Sequence, residues 1–334
     1  MNQEYTELLK KIETELEYWL PENPDSLWID QVFTDIDNKT NTDSMSFLLS
    51  PLRELVFRGG KRWRPLLMNL ICKSLGAGDA AIPLSPVLEF SHNASLIHDD
   101  IEDDSDERRG KPSVHKLFGV DTAINSASFF YFLASCCIDK CSFQNKDLIY
   151  KLWLKCMKRL HLGQAMDINW HRNVSIIPSV EDYILMCKLK TGSLARLAVE
   201  LGGLAAGVSQ ESIQKIGEAA DLMGVGFQIL DDVKNLTTGI PGKKRGDDIV
   251  EGKKGFPVLL YMNKYPEKQE QVFYCFHVAK REGTLAPEVN ELIAALENSG
   301  VFPEAHEKGL SCLAEAQEAF GSHALLNDFF KLIS

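Results

Sequence analysis

Apolar residues recur three and four positions apart along most of the chain, the spacing that lays one stripe along an α-helix. The pattern predicts helices over 84–101, 123–138, 148–168, 183–206 and 213–236. Alternating strand-like runs are scarce, and glycine and proline fall mainly between the helical segments. Ser179 before Val180-Glu181-Asp182 reads as a cap with an acidic first turn, Pro287-Glu288 as the start of a later helix and Gly300 as its end. The expectation is an all-α fold. No linker, shift in composition or solenoid-period repeat divides residues 1–334, so one domain is expected. Its motif-bearing core spans about 51–260, with C-terminal helices over 261–334. Residues 237–255 form a long connection rich in glycine and lysine, the profile of a functional loop.

Of the 334 residues, 45% are hydrophobic and 25% charged, which is ample for a sizeable core. The net charge of −11 argues against a nucleic-acid surface and against adhesion to anionic lipid. Residues 1–7 are acidic and do not read as a signal peptide, and no apolar run reaches the length of a membrane span. The expectation is a soluble cytoplasmic protein. Eight cysteines, none in a Cys-x-x-Cys pair, read as small core residues and not as a zinc site.

Seven of the nine residues 99–107 are carboxylates: Asp99-Asp100-Ile101-Glu102-Asp103-Asp104-Ser105-Asp106-Glu107, followed by Arg108-Arg109-Gly110. At the end of a helix such charges oppose its dipole, so the arrangement calls for a compensating cation. Asp99 and Asp103 share a helix face, with Asp100 one step aside. Hard oxygen ligands of this kind suit Mg2+, which completes its shell with substrate phosphate and water. Asp231-Asp232-Val233-Lys234-Asn235 repeats the geometry after Gly224-Val225-Gly226-Phe227-Gln228. One Asp-Asp pair reads as surface; two on apolar helices read as metal-binding faces turned toward each other.

The cations extend the picture. Gly59-Gly60-Lys61-Arg62-Trp63-Arg64-Pro65 places three positive charges at a glycine break, Lys190-Thr191-Gly192 interrupts a helix, and Lys243 and Lys253 lie in the long loop. Arginine forks and lysine ammonium groups are the usual contacts for phosphate oxygens. Together with the acidic motifs they imply one diphosphate bound through metal and cations, and a second bound by cations alone. Ala94-Ser95-Leu96 and Phe129-Phe130-Tyr131-Phe132 read either as buried helix or as the wall of an apolar tunnel.

These residues together resemble the trans-isoprenyl diphosphate synthases, from Gly59 to about Pro257. GGKRWRP is similar to the family's GGKRxRP, HDDIEDDSDERRG to its first aspartate-rich motif, and KTG and FQ to later signatures. DDVKN stands at the second aspartate-rich motif and GKKRGDDIVEGKKGFP at the loop after it. SHNASLIHDDIEDDS, INSASFFYF and HLGQAMDINW resemble the geranylgeranyl diphosphate synthase branch.

The resemblance implies an all-α bundle of the isoprenoid synthase type around a central cavity, and a homodimer. It implies an Mg-dependent trans-prenyltransferase that condenses isopentenyl diphosphate with dimethylallyl, geranyl or farnesyl diphosphate. Asp99, Asp100, Asp103, Asp231 and Asp232 would hold three Mg2+ ions on the allylic diphosphate. Arg108, Lys190, Thr191, Gln228, Lys243 and Lys253 match positions that contact that diphosphate. Lys61, Arg64, His92 and Arg109 match those that hold isopentenyl diphosphate; by itself His92 reads as a core histidine.

Three positions depart from the commonest family pattern: Asn235 for the last aspartate of the second motif, Gly255 for Thr or Ser, and His98 before the first motif. The small Ala94 and Ser95, five and four residues before Asp99, argue against a stop at C15. Tyr131, Phe132 and His161 resemble the floor of the geranylgeranyl branch, so the expected product is C20. The competing readings are a C15 or longer-chain synthase, a class I terpene cyclase and a non-catalytic modulating subunit. A cyclase has no need of GGKRxRP, and a modulating subunit has no need of an intact first motif.

Overall fold

The computed structural model describes residues 3–34, 42–239, 244–321 and 324–333. Helices α1 (Gln3–Trp19), α2 (Ser26–Val32), α3 (Thr42–Val56), α4 (Trp63–Ser74) and α5 (Ser85–Glu102) lead to a short hairpin of β1 (Glu107–Arg108) and β2 (Lys111–Pro112). Then come α6 (Val114–Phe118), α7 (Val120–Lys140), α8 (Lys146–Arg172), α9 (Val180–Lys190), α10 (Gly192–Ala205) and α11 (Gln210–Leu236). The remainder is α12 (Asp247–Val250), α13 (Phe256–Lys264), α14 (Gln269–Glu282), α15 (Pro287–Asn298), α16 (Val301–Phe320) and α17 (Ala324–Ile333). The all-α expectation is met, and the periodic segments fall on α5, α7, α8 and α11. The segment read as 183–206 is two helices that part at Thr191.

Local chemistry sets several ends. Ser179 and Asp182 form a reciprocal capping box at the start of α9, with Ser179 Oγ accepting from the Asp182 N–H at 3.0 Å. α15 stops at Asn298, and Gly300, at φ +77°, caps the helix that follows. The hairpin turns through Arg109 and Gly110, both at positive φ (56° and 74°), as the mirror-image turn of a two-residue hairpin requires.

Packing divides the chain into two compact units, Met1–Lys155 with Leu197–Gln214, and Cys156–Arg196 with Lys215–Ser334. In the first, Phe90 of α5 stacks on Phe130 of α7 with ring centroids 4.5 Å apart. Here α10 meets α4 so closely that a Cβ on Gly202 would stand 2.3 Å from the Met68 carbonyl oxygen. In the second, Tyr183, Val225, Ile229, Phe256, Leu259 and Ala305 bury a common core. α11 crosses α16 glycine on glycine: a Cβ on Gly226 would lie 2.7 Å from the Gly309 carbonyl oxygen. All eight cysteines are free and seven are buried, as the core reading expects. No helix among the described residues is long and apolar enough to cross a membrane.

Candidate active site

In the first unit the acidic run divides by position on the helix. Asp99 is partly buried and Asp100 fully buried, while Asp103 caps α5 with its N–H on the Asp99 carbonyl at 2.9 Å. Asp104, Asp106 and Glu107 are exposed, and Lys116 pairs with Asp104 at 2.8 Å and Asp106 at 3.2 Å. The hairpin then folds Arg108 back over the helix end. Its Nε and Nη2 both donate to Asp100 Oδ1, the former at 2.8 Å, and Nη2 also reaches Asp99 Oδ2 at 3.4 Å.

Arg109 goes the other way from the same turn. Its Nη1 donates to the carbonyls of Leu55 (3.0 Å) and Gly59 (2.6 Å), and its guanidinium lies so near Gly60 that a Cβ there would be 3.3 Å away. This contact bears on Gly60, whereas Gly59 faces open space and is set by its φ of +95°. Burial, reinforced by Arg62 and Arg108, holds the Arg109 pKa down to about 10 against the pull of Glu89. His92 shares this environment: enclosure by protein, then Arg64, Arg109 and Arg108, push its pKa well below the usual histidine range. Arg64 is buried with its guanidinium 4.2 Å from the Trp63 ring centre, and Lys61 is exposed.

Arg62, between them, is used otherwise. It caps α4 at a left-handed φ of 46° and pairs with Glu13 at 2.7 Å and buried Glu89 at 3.0 Å, also donating to the Val56 carbonyl. Of the basic motif, then, Arg64 shares the region of Arg109 and His92, exposed Lys61 follows the Gly60 that packs on Arg109, and Arg62 braces the scaffold. The residues matched to product length are also here, apart from His161. Ala94 is buried, and Ser95 Oγ donates to the His92 carbonyl at 2.8 Å. Tyr131 stacks parallel on His98 with centroids 5.8 Å apart, whereas Phe132 is 67% exposed and does not share that wall in the single chain.

The second unit holds the other half of the sequence-derived set. Lys190 donates to Asp167 Oδ2 at 2.6 Å and Thr191 Oγ1 to Gln228 Oε1 at 2.8 Å. Gln228 Nε2 in turn donates to Asp232 Oδ1 at 2.9 Å. Lys253 pairs with Glu251 at 2.6 Å, and His161 sits on the exposed side of α8. Lys243 lies outside the described residues.

Asp232, matched to a metal ligand, is surrounded by protein donors in the chain itself. It is buried, and its Oδ2 accepts from the Tyr183 hydroxyl and from the Phe256 N–H at 2.7 Å. With Gln228 on Oδ1, three protein donors occupy the carboxylate. Burial and the negative charge of Asp248 raise its pKa to about 7, partly offset by those donors. The physical reason is helical phase: Asp231 and Asp232 are about 100° apart, so one faces inward when its neighbour is partly buried at the rim. Gly255 follows from this, because a Cβ there would lie 3.0 Å from Asp232 Oδ2. Asn235 is fully buried, its Oδ1 accepting the Asp248 N–H at 3.4 Å and its carbonyl the Gly246 N–H at 3.1 Å. It anchors the loop after α11.

Asp167, Tyr183 and Glu89 were not singled out from sequence. Asp167 stands four residues after Gly163 in HLGQAMDINW, so spacing could have found it; Tyr183 and Glu89 carry no local signal. Among the described residues no three His, Cys, Asp or Glu side chains group closely enough to hold a metal ion alone. Asp99 and Asp103 offer only hard oxygen donors one helical turn apart, which fits a cation that takes the rest of its shell from phosphate and water.

The family model for polyprenyl synthetase matches residues 45–294. Geranylgeranyl pyrophosphate synthase of Penicillium ochrochloron is 33% identical over 279 residues, 83% of this chain and 75% of that protein. A short chain isoprenyl diphosphate synthase of Methanocaldococcus jannaschii is 34% identical over 242 residues, covering 71% of this chain and 73% of its own. Among solved structures, geranylgeranyl pyrophosphate synthetase from Pyrococcus horikoshii superposes with a TM-score of 0.81 at 26% identity, over 99% of this chain and 95% of that one. Carboxylates at the end of one apolar helix, a basic motif beside a hairpin arginine and this fold together define an isoprenoid-synthase-type protein. The chain belongs to the polyprenyl synthetase family.

Proposed function

We propose that the chain is a trans-prenyltransferase that joins isopentenyl diphosphate head to tail to an allylic diphosphate and releases geranylgeranyl diphosphate, with Mg2+ as cofactor. The observation that carries the reading lies in the first unit. Asp99 and Asp103, with Arg108, form one group of phosphate-binding chemistry; Arg64 and Arg109 beside His92 form a second, outside the aspartate-rich motif, with Lys61 next in sequence to the Gly60 that packs on Arg109. The first suits a diphosphate held through metal, the second one held by cations alone. The names of the Penicillium and Pyrococcus proteins support the geranylgeranyl product.

In this reading Asp99, Asp100, Asp103 and Asp231 hold the metal, three ions in all, while Asp232 fixes Gln228 and the 255–256 turn. When bound, Mg2+ supplies positive charge against the departing diphosphate. Arg108, Lys190, Thr191, Gln228, Lys243 and Lys253 hold the allylic diphosphate and donate to its oxygens as charge builds on them. The C–O bond breaks, leaving an allylic cation. Lys61, Arg64, His92 and Arg109 hold isopentenyl diphosphate so that its double bond attacks that cation, and the released diphosphate takes the proton. His92, kept neutral, is suited to orienting a substrate rather than to adding charge.

Ala94 leaves room for a tail past C15; of the three residues matched to the floor, Tyr131 stacked on His98 is the one partly enclosed in the single chain, while Phe132 and His161 lie exposed. Exposed Val120, Ile124 and Phe132 along α7 support a homodimer that covers them. The boundaries between the two units fall inside α8, α10 and α11 and not in linkers, which supports reading 1–334 as one domain. Free cysteines support a cytoplasmic location. The basic group around Arg109 favours a synthase over a terpene cyclase, which binds no isopentenyl diphosphate. The test is incubation of the purified protein with Mg2+, labelled isopentenyl diphosphate and each of the C5, C10 and C15 primers, with the products sized. A C20 product is expected; no elongation with any primer overturns the proposal.

A further inference from the structure

We infer that a buried ionic cluster, Asp221 with Arg159 and Arg196, sets the position of Lys190 and Thr191, and so acts as a positioning device for allylic diphosphate binding. Asp221 is buried, and its two oxygens accept separately from Arg159 Nη2 at 2.7 Å and Arg196 Nη1 at 2.8 Å. Arg159 reaches further. Its Nε donates to Ser193 Oγ at 3.1 Å and its Nη2 to the Lys188 carbonyl at 3.2 Å. The cluster therefore grips both ends of the break between α9 and α10: Lys188 just before it, Ser193 and Arg196 just after. Cys156 adds a bond from its thiol to the Ser193 carbonyl at 3.2 Å.

Helical spacing connects this grip to the diphosphate-facing side chains. On α8, Arg159, Gly163 and Asp167 follow at intervals of four and share one face; on α11, Asp221, Gly224 and Gln228 follow at three and four and share another. All six face the 188–196 segment. At one end lies the ionic cluster. In the middle the backbones nearly touch: a Cβ on Gly163 would stand 2.3 Å from the Lys190 nitrogen, and one on Gly224 2.3 Å from the Gly192 Cα. At the other end Asp167 holds Lys190 and Gln228 holds Thr191.

A slide or rotation of the break is thus resisted at three levels, and the ionic cluster supplies the directional one. Glycine contacts bring backbones close without specifying register, whereas a carboxylate shared by two guanidinium forks tolerates little displacement. Removing one partner of such a buried cluster leaves an uncompensated charge, so the break would repack.

The inference rests on the assignment of Lys190 to the allylic diphosphate, so Lys190→Ala serves as the reference. Steady-state kinetics with Mg2+, farnesyl diphosphate and isopentenyl diphosphate would be compared for Lys190→Ala, Asp221→Asn and the apolar swap Arg159→Met/Arg196→Met/Asp221→Leu, with thermal melts of each full-length protein. The swap is included because apolar replacement of a buried ionic cluster is often neutral or stabilising. Asp221→Asn and the swap are each expected to raise KM for farnesyl diphosphate about tenfold, the scale of a displaced binding group. KM for isopentenyl diphosphate should stay within about twofold, the scatter expected where no contact is lost. If either variant melts like the wild type and keeps its KM for farnesyl diphosphate while Lys190→Ala raises it, the cluster is structural only and the inference fails. If Lys190→Ala leaves that KM unchanged, the site assignment itself is wrong and the inference goes with it.

Discussion

The hydroxyl of Tyr183 donates to the carboxylate of Asp232, 49 residues away, and gives the two residues of the second Asp-Asp motif different surroundings. Asp232 is committed to Tyr183, Gln228 and the Phe256 N–H, while Asp231 stays partly buried at the rim of α11. Asp231→Ala is expected to lower kcat/KM for the allylic substrate by about 10²–10³, the scale of a lost charge-stabilising group. Tyr183→Phe should instead cost about 1.5–3 kcal/mol of stability, the scale of one lost hydrogen bond to a charged group, since Asp232 Oδ2 keeps the Phe256 N–H, with kcat little changed. Urea unfolding and steady-state kinetics on both variants check the split; equal kinetic damage would refute it.

Arg108 and Arg109 leave one turn in different directions, one onto Asp99 and Asp100, the other onto Leu55 and Gly59. Arg108→Ala should raise KM for the allylic diphosphate, and Arg109→Ala that for isopentenyl diphosphate. Each change is expected at about 10–100-fold, from the roughly 1.5–3 kcal/mol of a hydrogen bond to a charged group. Varying each substrate in turn reads the two constants, and exchange of the two effects would reverse the assignment.

Ala94 is fully buried one turn and a residue before Asp99. Ala94→Phe is expected to shorten the product from C20 toward C15 and to cost about 1–3 kcal/mol by overpacking. Sizing the products from labelled isopentenyl diphosphate decides this, since an unchanged spectrum would remove Ala94 from the tunnel.

Lys254 is buried with its ammonium on the Trp170 carbonyl at 2.5 Å, and burial lowers its pKa from 10.5 to about 8 against the attraction of Asp167. Between those values the unfolded chain binds more protons than the folded one, so this residue's penalty is relieved as pH rises from about 8 toward 10.5. Relative to Lys254→Met, the wild type should gain up to about 3 kcal/mol across that window. Urea midpoints of both proteins at the two ends of the window measure it; parallel curves would contradict the burial account.

In the proposed reading metal binds mainly with substrate, because Asp99 and Asp103 offer hard oxygen donors that suit a cation sharing its shell with phosphate. Chelation of Mg2+ is expected to abolish turnover while leaving the thermal melt of the substrate-free protein within about 2 °C, as expected where ligand contributes little to the folded state. A large drop in the melt on chelation would point to a structural metal.

Much of this was legible in sequence because helices write their own period. α5, α7, α8 and α11 follow the three-four spacing, Ser179 and Asp182 announce their capping box, and the acidic and basic motifs lie in order along the chain. The break at Thr191 was legible as the interruption Lys190-Thr191-Gly192. What the sequence did not show is that Gly163 and Gly224 bring neighbouring backbones against it.

Sequence alone determined the helical class, the inventory of carboxylates and cations, and the family to which their order points. Those depend on residue type and short spacing, which neighbouring positions decide. Tertiary structure decided which member of each pair does what. It set Asp232 inward under Tyr183, committed Arg62 to Glu13 and Glu89, left Phe132 exposed, and wired Asp221 to the Lys190 break through Arg159 and Arg196. Each of these depends on partners between 25 and 62 residues distant or on the phase of one helix against another, and only the packed chain fixes those.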